Sequence, residues 1–110
     1  MQTESNHKTV SQHESEICES LGGHAHIGSG RMEGWKSDGS TDRYQIEAKQ
    51  TAKQSLTIKM EWLQKITEEA LPCGRIPIVA IRFLNCDDLL TDKDWILVPA
   101  SEFRDLSKLT

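Results

Sequence analysis

Glu47 and Lys49 stand two residues apart in the run Tyr44-Gln45-Ile46-Glu47-Ala48-Lys49. Read as a strand, this run alternates its side chains, so Glu47 and Lys49 share one face while Ile46 and Ala48 share the other. A carboxylate and an amine placed together inside a small domain are costly to desolvate. Asp38 lies nine residues before Glu47. Held together, these three groups can bind a divalent cation and activate a water beside it, which is the chemistry of phosphodiester hydrolysis. The bland alternative is an ion pair on a solvated strand face, a common and weak arrangement.

The elements that must position these groups can be read from hydrophobic period and punctuation. Val10, Ile17, Cys18 and Leu21 recur at helical spacing and predict a helix from Thr9 to Leu21, closed by Gly22-Gly23. Glu14 falls on that apolar stripe, either as an inward ligand or as a tolerated boundary acid, whereas Glu16 and Glu19 lie off it. Short strands are expected at 24–27 and from Asp38, and a longer one at 43–49. A second helix is expected within 55–71, starting near Thr57, with Ile58, Trp62, Leu63, Ile66, Ala70 and Leu71 as its apolar face; Pro72-Cys73-Gly74 stops it. Residues 78–84 read as a strand covered on both faces and broken only by Arg82, with Pro77 just before it or at its first residue. An acidic loop at 85–94, a strand at 95–98 and a short last helix with Phe103 and Leu106 turned inward complete the chain. The fold class is α/β, with a mixed sheet flanked by helices. Residues 1–8 read as a polar tail and 9–110 as a single domain.

The bulk numbers agree with that size. The chain has 110 residues, 27% charged and 36% hydrophobic, and a net charge of -4. No apolar run is long enough to span a membrane, and the N-terminus lacks the basic-then-apolar order of a secretion signal. Cys18, Cys73 and Cys86 are an odd, widely spaced set that argues against a disulfide framework, so a reducing cytoplasm is expected. The cysteines read as small hydrophobes. The acidic balance is uneven. Residues 29–59 carry six basic and four acidic side chains, while both flanking segments are net acidic. A local basic patch around the Glu-x-Lys strand is compatible with a phosphate backbone.

Several other residues carry two readings each. Ser29, Gly30 and Arg31 form a turn whose amides and guanidinium can hold a phosphate, or a plain surface turn. Lys36, Lys53 and Lys59 can contact a nucleic-acid backbone or simply be solvated. Trp35, beside Lys36, can stack on an unpaired base or sit in the core with Trp62 and Trp95. His24 and His26 suggest zinc by spacing, but no further ligand pair completes such a site, and ordinary strand histidines are expected.

In order, Glu14 on the first helix, the Ser29-Gly30-Arg31 turn, Asp38, Glu47-Ala48-Lys49, the Trp62-Leu63 helix, the apolar strand and Trp95-Ile96-Leu97-Val98-Pro99 resemble the PD-(D/E)XK nuclease superfamily. Within it they are most similar to small Holliday junction resolvases and related phage-type nucleases. The chain departs from the pattern where Ser37 replaces the motif proline and Gly39-Ser40-Thr41 follows Asp38. Asp42 is thereby a rival for the metal-binding Asp. Asp38 is preferred, because nine residues before Glu47 leave room for a short hairpin and five do not.

The resemblance implies a restriction-endonuclease-like core and a metal-dependent DNA endonuclease, acting on branched DNA such as Holliday junctions in a bacterial or phage-infected cell. It implies Mg²⁺, for which Mn²⁺ can substitute, held by Asp38, Glu47 and the backbone carbonyl of Ala48. Glu14, Asp38, Glu47 and Lys49 would be catalytic, and Ser29, Gly30, Arg31, Lys36 and Lys53 would contact DNA. Paired cuts need two sites, so a homodimer is expected, with strand 78–84 or the last helix as its interface. Two other functions remain open: a non-catalytic DNA- or protein-binding module on the same fold, and a nuclease acting on linear or nicked DNA.

Overall fold

The computed structural model describes residues 8–26, 37–85 and 93–107. Helix α1 (Val10–Ser20) begins where the sequence places it. Thr9 and Gln12 form a reciprocal cap, each side chain accepting from the other's backbone N–H at 3.0 and 2.8 Å. Gly22 closes the helix at a φ of 80°, in the left-handed region that glycine enters without a Cβ penalty. Val10, expected on the buried stripe, is exposed, and the helix buries only Ile17 and Cys18 fully.

Among the described residues, five strands form one mixed sheet in the order β1 (His24–Ala25), β2 (Gly39–Ser40), β3 (Tyr44–Thr51), β4 (Ile76–Phe83), β5 (Asp94–Leu97). The first three run antiparallel to their neighbours, β3 and β4 are parallel, and β5 returns antiparallel to β4. The parallel pair requires a crossover, and α2 (Met60–Ala70) supplies it. This helix begins later than expected from the sequence. Residues 55–59 carry no regular structure instead, and Lys59, in extended conformation, provides no side-chain cap. A 3₁₀ turn (Leu71–Cys73) then ends at Gly74, at a φ of 67°.

Alternation along the central strands divides the core in two. Ile46, Ala48, Ile78 and Ala80 pack on Ile17 and Cys18 of α1. Val79 and Ile81 pack on Ile66 of α2, with Trp62 and Leu56 at the margin. The core strand is therefore covered on both faces, as its apolar run predicts. It also lies between β3 and β5, which removes it as a dimer interface.

Pro77 is the second residue of β4, inside the strand rather than before it. Ile76 donates to the Arg43 carbonyl at 2.7 Å. Its neighbour therefore turns a donorless nitrogen toward the β5 side, where the ladder starts only at Val79.

Helix α3 (Ala100–Ser107) departs most from expectation. Phe103 and Leu106 face outward, Phe103 with 64% of its surface accessible, and Trp95 of β5 is exposed as well. Among the described residues no helix is long and apolar enough to cross a membrane.

Candidate active site

Asp38, Glu47 and Lys49 are brought together by β2 and β3. Asp38 immediately precedes β2. Its backbone N–H donates to the Ile46 carbonyl at 3.0 Å, and its carbonyl accepts from the His26 N–H at 2.8 Å. Its carboxylate Oδ2 accepts from the Ala48 N–H at 2.8 Å. The carboxylate is thus fixed against the middle residue of the Glu-x-Lys triplet, with Oδ1 uncommitted by that bond. Asp42 lies instead in the exposed β2–β3 turn.

Glu47 is 8% exposed. Lys49 extends along the same face, with its Nζ 3.3 Å from Glu47 Oε2 and 4.5 Å from the centre of the Trp62 ring. A carboxylate and an aromatic face therefore hold the lysine from two sides.

Glu14 reaches the same region from α1. Burial raises its pKa, and the charges of Asp38 and Glu47 raise it further. Burial likewise raises Glu47, with Asp38 next in importance. Burial raises Asp38 too, and the Ala48 N–H bond opposes the shift. Desolvation is the largest cause in all three half-buried to buried carboxylates, and the Lys49 charge opposes it in each.

The donor set tests whether a cation suits this place. Among the described residues, no group of three or more His, Cys, Asp or Glu side chains is gathered closely enough to hold a metal. Asp38 and Glu47 remain as a pair of hard oxygen donors. Mg²⁺ is commonly held by one or two carboxylates while it keeps several waters, so the pair fits that ion.

The histidine beside β1 has another task. His26 is buried, with Nδ1 3.0 Å from the Ser37 carbonyl and Nε2 2.9 Å from Ser40 Oγ. A carbonyl only accepts, so Nδ1 carries the proton in this contact and the Ser40 hydroxyl donates to Nε2. The ring clamps the two residues that flank Asp38-Gly39. Burial lowers its pKa and favours that neutral form.

Gly39 itself is explained by α1. A Cβ there would collide with Cys18 Sγ and lie 2.5 Å from the His24 carbonyl, so no side chain has space at this position. Ser37 donates its hydroxyl to Glu69 at 2.8 Å, a bond that ties the start of β2 to α2.

Sequence reasoning missed the contribution of α2. Trp62 packs at the margin of the α2 core, as expected, and also presents its ring to Lys49. Lys65 lowers and Glu69 raises the Asp38 pKa through charge, and Lys65 also acts on Glu47. Positions 62, 65 and 69 share one helical face, so the spacing carried the signal. Lys53 sits exposed in the turn after β3, beyond Lys49 on the same strand end. Ser29, Gly30, Arg31, Trp35 and Lys36 lie outside the described residues, as does Cys86. Cys18 is a buried hydrophobe whose thiol is pushed up to about 12, chiefly by burial.

No family model, curated protein or solved structure matches the chain.

Proposed function

We propose that this protein is a metal-dependent DNA endonuclease with a restriction-endonuclease-like core, acting on branched DNA such as four-way junctions. The observation that carries the proposal is the gathering of the half-buried to buried carboxylates Asp38, Glu47 and Glu14 beside an anchored Lys49. The arrangement of one helix, a three-stranded meander, a crossover helix and two further strands supports it, since that is the order of the family the sequence resembles.

Asp38 and Glu47 would hold Mg²⁺, with the Ala48 carbonyl as a third oxygen. When bound there, the ion supplies Lewis-acid polarisation of a phosphodiester and acidifies nearby water. The chain's own residues do the rest. Lys49 places a positive charge beside the reacting phosphate, where it stabilises developing negative charge and orients the attacking water. Trp62 keeps the ammonium at that place. Glu14 extends the acidic cluster toward α1. Lys53 and Lys65 put positive charge at the rim, where a phosphate backbone can approach.

The test is cleavage of labelled linear, nicked and four-way DNA with Mg²⁺ or Mn²⁺, beside Glu47→Ala and Lys49→Ala. Cutting of the four-way substrate by the wild type and its loss in both variants is expected. Cutting that persists in both variants moves the active site elsewhere. Preference for linear or nicked DNA changes the substrate and keeps the chemistry. Binding without cleavage under either ion replaces the enzyme with a binding module.

A further inference from the structure

Asp38 is carried by a very short piece of ladder. β1 pairs with β2 through His24 with Ser40 and Ala25 with Gly39, and β2 pairs with β3 through Gly39 with Ile46 and Ser40 with Gln45. Pairings of that length are marginal by themselves. Yet the Asp38 carboxylate is finely set. Its Oδ2 accepts from the Ala48 N–H at 2.8 Å, and a slip of about 1 Å would carry the contact beyond hydrogen-bond reach.

Three attachments steady residues 37–40, each from a different neighbour. Gly39 lies so close to Cys18 of α1 that a Cβ would not fit. Ser37 donates to Glu69 of α2. His26, one residue beyond β1, supplies the third. Its backbone N–H donates to the Asp38 carbonyl, its Nδ1 is 3.0 Å from the Ser37 carbonyl, and its Nε2 is 2.9 Å from Ser40 Oγ. The imidazole thus bridges the residue before Asp38 and the one two after it. His26, Ser37 and Ser40 are all buried, where such bonds are electrostatically stronger than in water. Substitution of the ring would spare the backbone bond and remove the other two.

We propose that His26 is a positioning residue for the Asp38 carboxylate, its imidazole holding residues 37–40 in the placement that joins Asp38 to Ala48. Both ring nitrogens are engaged, so the histidine acts through Asp38 and not as a ligand. What this means for a cation rests on the nuclease reading, in which Asp38 is a ligand. Groups that orient a ligand typically change metal affinity by about 10–100-fold.

Amide hydrogen exchange of the full chain, followed by NMR without metal or DNA, reads the clamp. Calorimetric titration with Mg²⁺ reads its consequence. In His26→Ala the Ala48 amide is expected to exchange roughly tenfold faster, with Val79 and Ala80 of β4 unchanged, and the Mg²⁺ dissociation constant is expected to rise about 10–100-fold. His26→Asn, whose amide can donate to the Ser37 carbonyl from near the Nδ1 position, is expected to recover most of both. Wild-type exchange at Ala48 in His26→Ala overturns the proposal. So does an acceleration shared equally by Val79 and Ala80, which marks a general loss of stability, and so does an Asn variant no better than Ala. With Ala48 exchange accelerated alone, absent or unchanged Mg²⁺ affinity counts against Asp38 as a ligand, and the clamp stands. Should His26→Ala fail to fold, Ser40→Ala removes only the hydroxyl that donates to Nε2 and gives the same readings at smaller amplitude.

Discussion

Two clusters of charge sit in this small sheet, and they are opposites. On the α1 side, Arg82 is 3% exposed and fully engaged. Its Nε and Nη2 grip Asp94 at 2.7 and 2.9 Å, and its Nη1 donates to Glu16 at 2.8 Å and to His13 Nδ1 at 3.2 Å. Lys8 joins Glu16, and Ser20 donates to Asp94 at 3.2 Å. The acids respond accordingly: hydrogen bonds from Lys8 and Arg82 bring Glu16 down to about 2, and the Arg82 contacts outweigh burial to lower Asp94. Around Asp38, Glu47 and Glu14 every carboxyl shifts the other way. A network that lowers its acids is complete and serves the fold. In the other, burial keeps the carboxyls protonated more readily despite the Lys49 charge, the character of a desolvated acidic cluster.

The largest effect expected from this contrast is on cleavage. Asp38→Asn and Glu47→Gln remove charge with little change of shape, and each is expected to lower the cleavage rate by about 10²–10⁴-fold. Stability is expected to move in the opposite direction. The native carboxyls hold protons more tightly than the unfolded chain does, so wild-type stability falls as pH rises from the ordinary carboxyl range through the raised native values. At neutral pH both variants are therefore expected to gain about 0.5–2 kcal/mol in urea unfolding, a gain that fades below about pH 4. Variants less stable than the wild type at pH 7 would break the comparison at its centre.

Arg82→Met probes the complete cluster. It leaves Asp94 and Glu16 without their shared cation and is expected to cost about 3–5 kcal/mol in urea unfolding. Here too the sign follows from the shifts. The stabilisation from lowered acids is present above the unfolded pKa of about 4 and is lost as pH falls toward the native values, near 2 for Glu16. The difference between wild type and Arg82→Met should accordingly narrow in acid. A substitution without measurable cost would show that the network is ornamental to folding.

These two clusters were not equally legible in the sequence. Glu47 and Lys49 share a face because strand period alone dictates it, and Asp38 was favoured over Asp42 by hairpin length. Both depend on near neighbours. Arg82 appeared only as a break in an apolar run, because its partners Glu16 and Asp94 come from another helix and another strand. Trp62 had the spacing of a core residue, and only the packing of α2 against β3 shows it under Lys49. The exposed face of α3 was misread for the same reason: periodicity identifies an apolar stripe and not what covers it.

Added cation should separate the clusters with a smaller effect. Mg²⁺ at about a hundred times its dissociation constant is expected to raise wild-type stability by about 2–3 kcal/mol. The Asp38→Asn/Glu47→Gln double variant should lose that gain, and Arg82→Met should keep it. Equal stabilisation of the double variant would place the ion elsewhere.

The smallest effect concerns how each cluster holds its cation. Arg82 is gripped by a carboxylate fork, whereas Lys49 has one oxygen of Glu47 and the face of Trp62. A ring under an ammonium contributes about 0.5–1 kcal/mol where solvent reaches the pair, and Lys49 keeps 28% of its side chain exposed. Trp62→Leu keeps an apolar side chain toward Val79 and Ile81 and removes the ring with its quadrupole, at some cost in packing. If Lys49 acts on the reacting phosphate, that change should lower kcat about two- to fivefold with KM nearly unchanged, and Trp62→Phe should recover most of it. A purely structural role for the ring would instead lower the unfolding midpoint and spare kcat, and that result would detach Trp62 from the chemistry while leaving Asp38 and Glu47 in place.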